Sequence, residues 1–362
     1  MGAVNPGLFD ELTSSEALFA AWDVFCRGKR QRADVQKFWR RLEGNIFAIR
    51  RELIAGTYQH GAYDSFFIHD PKHRHIRKAG VRDRIVHQVV HTWLVRICEP
   101  CLIHDLYSGR DGKGTHAGVN ALERMTYKVS RNYSRPCWAL KCDIRKFYDS
   151  VCHSILMRLV AKRIRDTSVL KLVREIVESF HTEGVPGTGL PIGNVTSQIF
   201  TNIYLNELDQ FVKHRLRVEH YVRFSDDFVL LSERRADLVQ WLQEIEIFLE
   251  QELKLALHQR KVSIRPLHQG IDFLGYVLLP YHRVMRSSTR RRMIRRLSGR
   301  QEEALLDRGD PGLLRQSISS YLGMLSHANT FRLQCLVRNR FSSARDRDCG
   351  FLTNKCGWEA TG

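Results

Sequence analysis

Two adjacent carboxylates, Asp226 and Asp227, sit between short apolar runs, with Tyr221-Val222-Arg223-Phe224 before them and Phe228-Val229-Leu230-Leu231 after. Aromatic and β-branched flanks of this kind read as two strands of a β-hairpin with the acids at its tip. Half-buried carboxylates side by side repel each other. Two readings follow: an ordinary solvated Asp-Asp turn, or an acidic site whose repulsion a cation offsets, a divalent metal doing so most strongly.

The rest of the chain bears on that choice. Its 362 residues are enough for two or three subdomains with their own cores, and 43% hydrophobic residues mark it as globular. A net charge of +18 and a pI of about 9.8 favour a polyanionic partner. No basic amphipathic helix stands apart from the globular pattern, which favours nucleic acid over an acidic membrane surface. No run of 18 apolar residues is present and the first ten residues lack a basic segment followed by an apolar one, so neither a membrane span nor a secretory signal is expected. Nine scattered cysteines suggest reduced thiols and a cytoplasmic setting. Cys98 and Cys101 form a CxxC without a second pair, and zinc is not expected there.

In chain order, residues 1–60 read as helices, one capped by Ser14 or Ser15 and running through Leu18, Trp22 and Phe25, the next carrying Val35, Phe38, Trp39, Leu42, Ile46 and Ile49. Ser65–Ile68 and His75–Arg77 look like strands around an Asp70-Pro71 turn, with Lys72, Arg74, Arg82 and Arg84 near them. Fixed cations so placed suit a triphosphate. A helix over Arg84–Cys98 follows, then a glycine-rich loop, Gly109–Thr115, that is not a P-loop. Cys137–Ile144 reads as a buried strand ending on Asp143, either a metal ligand or the N-cap of the next helix. A Gly- and Pro-rich turn, Gly184–Gly193, opens a helix with Phe200, Tyr204, Leu208 and Phe211 on one face. Another helix carries Leu238, Leu242, Ile245, Leu249 and Leu253, and Lys261–Ile264 and Ile271–Tyr276 read as strands. Beyond Pro280, Arg283, Arg286, Arg290, Arg291, Arg292, Arg295, Arg296 and Arg300 crowd a predicted helical segment. A merely soluble helix would mix its charges, so nucleic-acid contact is favoured there.

This succession of motifs resembles a reverse transcriptase over about residues 35 to 340. Asp143-Ile-Arg-Lys-Phe-Tyr148 is similar to the first catalytic palm motif, and Phe224-Ser-Asp-Asp227 to the Tyr/Phe-x-Asp-Asp motif. Lys72 to Arg84 resembles the fingers motifs of bacterial enzymes, Leu257–Lys261 the palm segment that carries a lysine, and Phe273–Tyr276 the primer-grip segment. Leu190-Pro-Ile-Gly-Asn-Val-Thr-Ser-Gln198 has Ile192 where most of the family has glutamine. That wording, with Tyr107–His116, is similar to the error-prone enzymes of diversity-generating retroelements; antiviral defence enzymes share parts of it.

The resemblance implies an α+β, right-hand polymerase fold. Its expected divisions are an N-terminal helical extension (1–60), fingers (61–135), a palm with an antiparallel sheet (136–280), a basic helical thumb (281–341) and a tail (342–362). It implies two Mg²⁺ ions, or Mn²⁺ in their place, held by Asp143, Asp226, Asp227 and the main chain at Ile144. Lys261 would act on pyrophosphate, and Lys72, Arg74, Arg82, Tyr148, Ile192 and Gly193 would contact the dNTP. Arg110, Lys113, Arg290, Arg291 and Arg295 would contact nucleic acid. The implied partners are template RNA, cDNA and dNTPs, with a small basic oligomeric accessory protein or a non-coding RNA. A bacterial or phage-encoded cytoplasmic setting, with no membrane, follows. A non-catalytic RNA-binding scaffold is the alternative of another class, and the three intact acids argue against it.

Overall fold

A computed structural model describes residues 7–69, 73–306 and 310–341. The chain opens with α1 (Leu8–Leu12) and α2 (Ser15–Cys26), the latter capped by Ser14, whose hydroxyl accepts from the Ala17 N–H at 3.1 Å. The single apolar pattern expected from Val35 to Ile49 is split into α3 (Ala33–Trp39) and α4 (Leu42–Ile54). Arg41 leaves helical geometry at the break, and Asn45 Nδ2 donates to the Phe38 carbonyl there at 2.9 Å.

β1 (Asp64–Ile68) and β2 (Arg74–Lys78) form an antiparallel hairpin. The turn read at Asp70–Lys72 lies outside the described residues. Helix α5 (Val81–Cys98) starts three residues earlier than the sequence suggests, directly after Gly80. Next come α6 (Thr115–Val129), β3 (Trp138–Asp143), α7 (Phe147–Ser150), α8 (His153–Ala161), α9 (Thr167–Glu178) and α10 (Val195–Gln210). β4 (Tyr221–Phe224) and β5 (Asp227–Ser232) are followed by α11 (Arg235–Leu253) and β6 (Ser263–Pro266). A four-stranded sheet runs in the order β4-β5-β3-β6, with β4 and β5 antiparallel.

β7 (Ile271–Phe273), β8 (Tyr276–Leu279) and β9 (His282–Met285) form a separate antiparallel sheet. Ile271–Tyr276 is therefore not one strand. Leu274 and Gly275, both at positive φ (49° and 92°), make a two-residue turn between Phe273 and Tyr276. The expected Arg-rich helix likewise gives up its start: Arg283 lies in β9, and α12 runs Ser287–Leu305, followed by α13 (Pro311–Leu325) and α14 (Phe331–Phe341).

The described residues form two compact units, one drawn from those up to 118 and from 140–264, the other from 119–139 and those from 265 to 341. In the first, α10 is buried along most of its length, including Phe200, Tyr204, Leu205 and Leu208. Within its sheet β5 is a continuous buried run from Phe228 to Leu231, and β4 buries Tyr221, Val222 and Arg223 beside it. In the second, Met285, Met293, Leu297, Leu325, Val337 and Phe341 form the core. No helix among the described residues is long and apolar enough to cross a membrane.

Candidate active site

The site is built where β3 ends beside the tip of the β4–β5 hairpin. Phe224 and Asp227 are its last paired residues, so Ser225 and Asp226 make a two-residue turn. Ser225 has φ +56°, and a positive φ at the first central position is the mark of a II′ turn, whose twist suits a hairpin. On β3, Leu140 and Cys142 face the core, and the alternation puts Lys141 and Asp143 on the other, half-buried face. The backbone holds the two acidic elements together, Ile144 N–H donating to the Asp226 carbonyl at 3.1 Å, and His258 N–H fixes the end of β3 from its other side by donating to the Asp143 carbonyl at 2.8 Å.

Lysines engage two of the three acids. Lys261 Nζ lies 2.6 Å from Asp143 Oδ1, and Lys141 Nζ 3.5 Å from Asp227 Oδ2. Asp227 Oδ1 is buried with no hydrogen-bond partner. Burial pushes the Asp227 carboxyl up to about 6; Lys141 opposes the rise, and Asp143 and Asp226 add to it. Asp226 is also raised, by burial first and then by Asp143. An ordinary Asp-Asp turn in solvent would do neither.

No group of three or more His, Cys, Asp or Glu arranged to hold a metal ion occurs among the described residues. The donors present still suit Mg²⁺, which is usually held by one or two carboxylates plus substrate phosphates and waters rather than an all-protein cage. Two neighbouring carboxyls with raised affinity for protons and an orphaned buried oxygen are groups that a cation would satisfy.

The hairpin tip is fixed from inside by a residue the sequence reading passed over. Arg223 is fully buried and makes a two-pronged ion pair with Asp209 of α10, Nε to Oδ1 at 2.7 Å and Nη2 to Oδ2 at 2.5 Å. Its Nη1 donates to the Ser225 carbonyl at 3.0 Å, and Tyr221 OH donates to Asp209 Oδ1 at 2.7 Å. From the other side the Ser225 N–H donates to Ser108 Oγ at 2.8 Å, while Asn202 Nδ2 holds the Ser108 carbonyl at 3.0 Å. One signal was available: an arginine inside an apolar strand needs a buried partner.

The nucleotide-side candidates gather around the turn before α10. Leu190 N–H donates to the Tyr148 carbonyl at 2.7 Å, and Arg77 N–H to the Ile192 carbonyl at 3.0 Å. Asn194 grips the same edge of β2, Nδ2 to the Arg77 carbonyl at 3.0 Å. Gly193 has φ +119°, and a Cβ there would stand 2.9 Å from Ile76 Cγ2. Arg74 starts β2 and is exposed; Lys72 lies outside the described residues.

Other candidate cations already have protein partners. Arg82 pairs with Glu52 and with Asp83 (2.7 Å) and lies over the Tyr58 ring. Arg110 is bound to Glu99 at 2.6 Å and to the Ile103 carbonyl at 2.7 Å. Lys113 donates to the His104 carbonyl at 3.0 Å and lies over Tyr107. In the second unit, Arg290, Arg291 and Arg295 are exposed on α12 and line, with Ser287 and Ile294, an open cavity of about 470 Å³.

Residues 69–278 match the family described as reverse transcriptase (RNA-dependent DNA polymerase). Protein YkfC of Escherichia coli is 26% identical over 66% of this chain and 72% of its own length. The group II intron-encoded protein LtrA of Lactococcus lactis is 23% identical over 69% of this chain, which spans about half (51%) of LtrA. A solved structure of apo telomerase from Candida tropicalis, truncated from its C-terminal domain, aligns over 62% of this chain and 55% of that one, with 11% identity and a TM-score of 0.49.

Proposed function

The chain belongs to the reverse transcriptase (RNA-dependent DNA polymerase) family, with its right-hand polymerase fold, and we propose that it copies an RNA template into cDNA at the Asp143–Asp226 site, with low fidelity, as the polymerase of a diversity-generating retroelement. The observation that carries the reading is that the end of β3 at Asp143 is bonded through its backbone to the hairpin turn of Asp226, whose carboxyl burial raises, inside the residues that match the family.

Asp143 and Asp226 would hold two Mg²⁺ ions, which when bound lower the pKa of the primer 3′-hydroxyl and neutralise the triphosphate and leaving pyrophosphate. Asp227, opposite Lys141, completes the acidic cluster and tunes its charge. Lys261, already on Asp143, brings a cation to the pyrophosphate. The ring of Tyr148 closes against the sugar 2′ position and rejects ribonucleotides by clash. Arg74 meets the triphosphate, and the exposed Arg290, Arg291 and Arg295 meet the nucleic-acid backbone. Ile192 offers the nascent pair shape but no hydrogen bond, and a site without polar checks discriminates less.

Sequencing cDNA made on an RNA template with all four dNTPs tests this reading. Errors concentrated opposite adenine, reduced in Ile192→Gln, support it; a spectrum unchanged by Ile192→Gln removes the explanation. Repetitive or untemplated DNA points to a defence role instead. The similarity to LtrA favours a second reading, an intron-type enzyme, for which faithful copying of a group II intron RNA is the expected result.

A further inference from the structure

The N-terminal helices hold a small aromatic cavity that the polymerase site does not use. It measures about 180 Å³ and lies between α2, the start of α3 and the α3–α4 break. Its floor is buried: Trp22, Cys26 and Val35. Trp22 is fixed by stacking on Phe38, ring centroids 5.3 Å apart. Phe19 forms a half-buried wall, and Trp39 stands at the mouth with 58% of its surface exposed. An indole left that exposed beside a cavity has apolar area without a partner among the described residues.

The size and the charge select the occupant. The cavity is below the 300 Å³ or so of a drug-sized site, a size suited to one small flat ring system. The surrounding helices are strongly basic: residues 27–51 carry nine Lys and Arg against Asp34 and Glu43. Asp34 is itself engaged, with Lys78 at 2.7 Å. Arg30 is exposed on the cavity rim, placed for a phosphate next to whatever enters, and the exposed Asp23 on the same rim carries a carboxylate able to accept a hydrogen bond. A protein segment inserting an apolar side chain would gain nothing from this density of cations unless it were acidic. A nucleotide uses all three features: its base the aromatic walls, its phosphate the cations, and an exocyclic amine Asp23.

We infer that this cavity binds one unpaired base of an RNA strand, stacked on Trp39, at a point separate from the polymerase site. The inference rests on the reading of the chain as an RNA-copying enzyme, since that reading supplies the RNA. Stacking on an aromatic side chain is sequence-tolerant, so the contact would hold the RNA without selecting a sequence, apart from a preference for bases with an exocyclic amine through Asp23.

The test is binding of the whole protein to a single-stranded 16-nucleotide RNA of mixed sequence, by fluorescence anisotropy at fixed salt. Trp39→Ala should weaken binding about 5- to 150-fold, the range found for loss of one base stack, and Trp39→Phe should restore most of it. The unmodified protein supplies a second arm that needs no variant. An RNA with 4-thiouridine at each position in turn should photocrosslink to the peptide containing Trp39, and the matching abasic substitution at the crosslinking position should weaken binding to a similar extent. Unchanged affinity in a folded Trp39→Ala protein overturns the inference. So does an abasic RNA that binds as tightly as the parent, which would leave only phosphate contact. Failure of the RNA to crosslink to the Trp39 peptide from any position also overturns it. Primer extension by the unmodified protein, run alongside, reports on the polymerase reading separately.

Discussion

Replacing Arg223 with methionine should separate two jobs that the residue performs. Its guanidinium and the Asp209 carboxylate both have no exposed side-chain surface. Removing one partner leaves the other as an uncompensated buried charge, at a cost of about 3–5 kcal/mol. For a protein of this size that is a fall in Tm on the order of 10 °C. Tyr221 OH still donates to Asp209 and offsets a little of the loss. Combining Arg223→Met with Asp209→Leu and Tyr221→Phe removes the charges and the remaining orphaned hydroxyl together, and should regain most of the stability. It cannot restore the bond from Arg223 Nη1 to the Ser225 carbonyl, which fixes the turn presenting Asp226. A displacement of about 1 Å at a reacting group costs on the order of 100-fold in rate. The triple variant should therefore melt near the unmodified protein yet extend a primer far more slowly, by single-nucleotide rapid-quench assay. Full rate in the triple variant would refute the positioning argument. A single Arg223→Met variant with unchanged Tm would refute the buried-pair argument beneath it.

The raised carboxyls set a pH dependence. Asp227 titrates near 6 in the folded chain against about 3.9 unfolded, so the folded state holds the proton more tightly and this site's contribution to stability declines as pH rises from about 4 to 6. Millimolar Mg²⁺ should therefore raise Tm at pH 7.5, where the acids are ionised and repel, and barely at pH 4.5; equal gains at both would contradict the site. Gly193→Ala forces a side chain into a left-handed backbone 2.9 Å from Ile76 Cγ2, and should cost about 1–3 kcal/mol by chemical denaturation, with a destabilisation under 0.5 kcal/mol arguing against the close approach. Tyr148→Ala should admit ribonucleotides, read as rNTP incorporation against dNTP on the same primer; unchanged sugar selectivity would remove the role given to the ring.

Much of this was legible in the sequence because it rests on local pattern. The acidic doublet between apolar runs, the strand that ends on Asp143 and the Ser14 cap are all local, and each appears where periodicity and composition put it. What was not legible depends on partners distant in the chain. Arg223 looks like an intruder in its strand until Asp209, 14 residues away on α10, is brought beside it. Arg82 and Arg110 look like free cations until Glu52 and Glu99 are seen to hold them. Lys141, close to Asp143 in sequence, shows its contact with Asp227 only when β3 lies next to β5. Leu274-Gly275 gave a turn where β-propensity alone suggested a continuous strand, because two consecutive positive φ angles reverse the chain.

The central claim, that the Asp143–Asp226 pair is where nucleotides are joined, is tested most directly by primer extension on an RNA template with Mg²⁺ and dNTPs, comparing the unmodified protein with Asp226→Asn. Asparagine keeps the size of the side chain and the backbone bond from Ile144, so the variant should fold, bind the primer–template as before and yield no cDNA. Asp226→Asn protein that synthesises cDNA at the unmodified rate would contradict the account.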